Sequence, residues 1–84
     1  MTNEDIARML RNQASELARG GENLYRVRAF RQAAIAVMGL TDEVEFLVSD
    51  GGTKALERVP GIGKSLAGTI VSLTQQSALQ LLGS

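Results

Sequence analysis

The chain predicts an all-α fold, a compact bundle of about five short helices with a tight glycine turn before the last. Three observations carry that expectation. Apolar residues recur at helical spacing in each segment, glycine interrupts the chain between segments, and no run alternates with the period of a strand.

The first segment opens on Thr2 or Asn3 as candidate cap, with Glu4 and Asp5 in the turn where a helix's positive pole favours acids. Ile6, Met9, Leu10, Gln13, Ala14 and Leu17 follow at helical spacing until Gly20-Gly21 stops the helix. A second helix is expected from about Leu24 to Met38. On it Val27, Phe30, Ala33, Ala34, Val37 and Met38 share one face, Arg28 and Gln32 point away, and Arg31 sits at the edge. Its alanines let another helix approach closely. Ile35 falls on the outer side, where it offers a surface to a partner.

Gly39 closes that helix. Thr41 is the expected cap of a short third helix that turns Val44, Leu47 and Val48 inward. Thr53, after Gly51-Gly52, is the expected cap of a fourth that covers Lys54 to Arg58. The last helix starts near Lys64 and buries Leu66, Ala67, Ile70 and Leu73; Gln75 to Ser84 either extend it or fray.

With 84 residues the chain makes one small domain over 1–84, whole or part of something longer, with a core of marginal size. It contains no cysteine and no histidine, which excludes disulfides, thiolate or imidazole metal sites and an imidazole base. Ala33 to Met38 is too short an apolar run to cross a membrane, and the polar, acidic start is unlike a secretory signal. No membrane partner and a cytoplasmic location are therefore expected. Nine basic and nine acidic residues cancel, which argues against coating nucleic acid by bulk charge. Any nucleic-acid site must be local and built from backbone.

The stretch Val59-Pro60-Gly61-Ile62-Gly63-Lys64-Ser65-Leu66-Ala67 supplies such a site. Pro60 fixes its own φ and biases Val59 away from helical geometry, so an earlier helix stops there. Gly61 and Gly63 permit positive φ and leave the backbone bare. The result is a set of free N–H groups at a helix N-terminus, where an anion, most simply a phosphate, is favoured. Taken alone, the turn serves equally well as a helix stop and a helix start with nothing bound.

A second block carries the argument further. Asn23-Leu24-Tyr25-Arg26-Val27-Arg28-Ala29-Phe30-Arg31-Gln32-Ala33-Ala34 resembles a segment of family X DNA polymerases, and the hairpin over 59–64 follows at that family's spacing. Over Asn3 to about Leu82 the chain is similar to their N-terminal helix-hairpin-helix domain, the lyase domain of DNA polymerase beta and its bacterial relatives. The resemblance implies binding to DNA at nicks, gaps or 5′-phosphorylated ends without reading sequence. It implies phosphate contacts from Gly61, Gly63, Lys64 and Ser65, supported by Arg26, Arg28 and Arg31. It also implies a Na+ or K+ ion on the backbone carbonyls of Glu57, Val59 and Ile62, with no cofactor required.

The departures matter as much. Where the lyase members carry the lysine that forms a Schiff base, this chain has Thr69, preceded by Gly68. A threonine cannot form an imine. Glu57, Ser65 and Leu81 stand where helper lysines would be, and Phe30 replaces the supporting tyrosine. No catalytic residue is therefore expected. Two alternatives stay open: a weak deoxyribose-phosphate lyase using Lys64, and a protein-interaction module or homodimer that uses the surface around Ile35.

Overall fold

The first turn sets the frame. In the structure, a computed structural model that describes residues 1–21 and 23–83 with side chains through Gln76, helix α1 runs Asn3–Arg19. Thr2 caps it: its hydroxyl accepts from the Asp5 N–H at 3.1 Å while the Asp5 carboxylate accepts from the Thr2 N–H at 3.1 Å. Ile6, Ala7, Leu10 and Ala14 are buried along one stripe, Met9 and Leu17 flank it, and Gln13 is exposed.

Helix α2 spans Leu24–Met38, with Asn23 accepting from the Tyr25 N–H at 2.8 Å. Val27, Phe30, Ala33, Ala34 and Val37 are buried against α1. Small alanines buried on both helices (Ala7 and Ala14 on α1, Ala33 and Ala34 on α2) allow a close approach, and the two helices supply about half of the core residues. Met38 departs from its expected place on that face. It sits on the last turn at the border of the stripe and is 51% exposed.

Helix α3 spans Val44–Glu57 and α4 spans Lys64–Gly83. Four helical elements thus form, and the third is broken by a kink. At Gly52 the backbone is non-helical (φ 65, ψ −158), so α3 is two helical stretches that meet at a kink, and the expected fourth helix is the stretch after it. Thr53 stands at the start of the second stretch, but among the described residues its hydroxyl makes no capping bond. Thr41 does not cap α3 either; Glu43 holds the cap position without a side-chain bond. The cap comes from across the molecule. Asn3 Oδ1 accepts from the Val44 N–H at 2.7 Å, and Asn3 Nδ2 donates to the Asp42 carbonyl at 2.8 Å.

Val44, Leu56, Ile62, Leu66, Ala67, Ile70 and Leu73 complete one continuous core that contains no buried polar side chain among the described residues. Leu47 and Val48 pack against its edge half-buried. The radius of gyration of 12.5 Å is close to the value of about 12 Å for a compact chain of this length. Among the described residues no strand forms and no helix is long and apolar enough to cross a membrane.

Candidate nucleic-acid interface

The segment between α3 and α4 is a tight hairpin held by its own backbone. The Val59 N–H donates to the Leu56 carbonyl and the Ile62 N–H to the Val59 carbonyl, each at 3.0 Å. Ile62 is buried and anchors the turn in the core. Gly61 adopts φ 93, and a Cβ there would sit 3.3 Å from the Ala36 Cβ and 3.5 Å from the Gln32 carbonyl oxygen. Only glycine combines that φ with so close a seat on α2. Gly63 differs: its φ is not positive and a Cβ would meet nothing within 4 Å. The expectation that both glycines serve positive φ therefore holds for Gly61 alone.

Gly63 occupies the cap position of α4, its carbonyl accepting the first helical bond from the Ala67 N–H at 2.9 Å. Glycine brings no side chain to the helix start. Among the described residues, the N–H groups of Gly61, Gly63, Lys64, Ser65 and Leu66 have no hydrogen-bond acceptor in the protein. They surround an open cavity of about 450 Å³ whose far wall is Tyr25, Ala29 and Gln32 of α2. Unsatisfied donors at a helix start, with the helix's positive end behind them, are an arrangement that favours an anion.

A second cleft of about 280 Å³ adjoins the first, sharing Tyr25, Ala29, Ser65 and Leu66. Phe30, Arg26 and Thr69 complete its walls, and the Arg26 guanidinium stands 6.0 Å from the centre of the Phe30 ring. The Thr69 hydroxyl donates to the Ser65 carbonyl at 3.2 Å, one turn back along its own helix. Lys64 is exposed and lines the hairpin cavity but not this cleft; Lys54 lines neither.

The structure thus brings Gly61, Gly63, Lys64, Ser65 and Arg26 together, with Arg28 beside them in a small recess it shares with Tyr25, Ala29 and Gln32. Arg31 lies about 100° around the helix from Gln32 and lines none of these cavities. Glu57 is exposed at the end of α3, and the Leu81 side chain lies outside the described residues.

Sequence reasoning missed Tyr25, Ala29 and Gln32. Their signal was their spacing with Ala36, a stripe of one face of α2 that carries small residues where the hairpin lands. It also missed how the charges divide. Residues 24–38 and 58–84 hold five basic residues (Arg26, Arg28, Arg31, Arg58, Lys64) and no acid, while all nine acids lie elsewhere. None of the ion pairs among the described residues engages α2, the hairpin or α4.

Two helices joined by a glycine hairpin that exposes its amides define a fold type, and a family comparison agrees. The Helix-hairpin-helix domain model matches residues 1–79. The chain belongs to the helix-hairpin-helix domain family. Comparisons with curated proteins and with solved structures gave no match. Helix-hairpin-helix domains generally bind nucleic acid, and the stretches that carry no acid here, 24–38 and 58–84, are the ones that build the hairpin and its facing helix.

Proposed function

We propose that this helix-hairpin-helix domain binds DNA without sequence preference, holding backbone phosphates of nicked, gapped or abasic DNA on the hairpin. The observation that carries the reading is the bare head of α4, where the Gly63, Lys64 and Ser65 amides open on a cavity with no acceptor among the described residues. Phosphate oxygens supply the missing acceptors, and the lack of acids on α2, the hairpin and α4 spares them repulsion. Lys64 and Arg28 add charge at the rim. A Na+ or K+ ion on the Glu57, Val59 and Ile62 carbonyls would bridge the hairpin to a phosphate oxygen; the Val59 carbonyl accepts from Ile62 and keeps a second lone pair for it.

The same reading has no lyase step. Thr69 has no amine to form an imine, and Lys64 sits outside the cleft that Thr69 lines. Borohydride reduction in the presence of an abasic 5′-end should trap no adduct. Leu24, Ile35 and Met38, exposed together on the outward side of α2, favour a protein partner there as a second use of the fold.

The test is a titration of the domain into a labelled duplex that carries a short gap, with and without a 5′-phosphate, at low salt. Binding that weakens with salt on a shallow slope, because few phosphates are held, supports the reading. No binding to any of these DNAs sinks it and leaves the Ile35 surface as the use of the fold.

A further inference from the structure

Two cavities meet at the hairpin, and they differ in chemistry. The larger is rimmed by backbone N–H groups and suits a phosphate. The smaller is walled mainly by carbon: Phe30, Ala29, Leu66 and the ring of Tyr25, with the flat guanidinium of Arg26 over Phe30. Its polar groups are few. The Thr69 hydroxyl is turned onto its own helix, and Ser65 stands at the border with the larger cavity. A phosphate placed here would lose its water against apolar walls with one guanidinium in return, which is unfavourable.

At about 280 Å³ the cleft lies just below the range for whole drug-sized ligands, so it accommodates one ring system and little more. Aromatic faces and an arginine plane are the surfaces on which bases stack in single-strand binding. Tyr25 is 81% exposed, an unusual exposure for an aromatic residue that forms a wall of both cavities.

We infer that the cleft between Tyr25, Arg26, Phe30 and Thr69 receives one unpaired nucleobase while the hairpin holds the phosphate of the same or the next nucleotide. The inference rests on the DNA-binding reading above and adds to it a preference for DNA with an unstacked base. The shared walls make this spatially direct, since Tyr25, Ala29, Ser65 and Leu66 belong to both cavities. Selection is by flatness and apolar character rather than by base identity, because the cleft offers few hydrogen-bonding groups.

The test uses a gapped duplex with 2-aminopurine, a fluorescent adenine analogue, as the unpaired base in the gap, and a second duplex with the analogue fully paired. The domain is expected to change the emission of the unpaired analogue on binding and to leave the paired one as it was. Thr69→Trp fills the cleft and should weaken binding to the gapped DNA about tenfold and abolish the emission change. Arg26→Met removes the guanidinium plane without adding bulk and should move both readouts the same way, which covers a Thr69→Trp protein that fails to fold. Binding to gapped DNA with no emission change, or unchanged affinity in the folded variants, overturns the base pocket and leaves the phosphate site standing. No binding of the unsubstituted domain to any DNA overturns both.

Discussion

The heads of α1 and α4 start helices of similar length by opposite means. At α1, Thr2 and Asp5 exchange hydrogen bonds and close the first turn on itself. At α4, Gly63 offers no side chain and the first amides face a cavity. The other two starts follow α1: Asn23 caps α2 from within, and Asn3 caps α3 from forty-one positions away. A side-chain cap is worth about 1 kcal/mol, and any of the common capping residues would fit at position 63, where a Cβ has open space. The uncapped end is thus not imposed by packing. On the DNA-binding reading, it is the end whose donors are left for a phosphate.

Four substitutions break or sharpen that contrast. The largest effect is expected from Gly61→Val. A β-branched residue at φ 93 costs about 1–3 kcal/mol in backbone strain alone, and its Cβ presses on Ala36. Urea denaturation should show the loss, and gapped DNA should no longer bind. A folded variant with undiminished affinity would take the hairpin out of the account.

Gly63→Asp turns the head of α4 into a second α1. The new carboxylate takes the free amides, so stability should hold or rise by a few tenths of a kcal/mol. DNA affinity should fall about tenfold or more, since charge-assisted hydrogen bonds are lost and a like charge is added. Stability and affinity then move in opposite directions. If both rise, the amides hold no phosphate.

Thr2→Ala makes α1 resemble α4. It should cost about 1 kcal/mol in a urea melt while gapped-DNA affinity stays as it was. The smallest effect is in acid. The Thr2 N–H, and after it the Thr2 hydroxyl, hold the Asp5 carboxyl below its ordinary value of 3.8. A depressed carboxyl stabilises the fold above that value, and its contribution is lost as pH falls through the lower folded value. Asp5→Asn should therefore flatten the acid side of the stability profile below about pH 4. A profile identical to that of the unsubstituted chain would show that the capping box carries no charge dependence.

Features that are local in sequence were legible before any coordinates. The end of α2 follows from Gly39, the start of α1 from Thr2, and the buried stripe of α4 from Leu66, Ala67, Ile70 and Leu73. Features that depend on contacts across the chain were not. Asn3 was a candidate cap for its own helix, yet it serves α3, because the bundle brings residues 3 and 44 together. Gly52 marked a boundary and the backbone does break there, yet the stretches on either side stay a single kinked element because both pack on one core. Gly61 and Gly63 look alike in a string of letters; the approach of Ala36 separates them. Arg31 shares a motif with Arg26 and Arg28 and is carried away from the hairpin by one step of helical rotation. The division of charge was legible and was hidden by a total of zero.

That division has a kinetic consequence. A body with no net charge feels almost no pull from a distant polyanion, but one whose acids are kept off the hairpin and its facing helix feels a torque. On the DNA-binding reading proposed above, a polyanion within a Debye length, about 8–10 Å at ordinary salt, would turn the molecule hairpin-first before drawing it in. Encounters are sorted by orientation rather than multiplied in number, so added salt acts chiefly on the fraction of collisions that arrive the right way round.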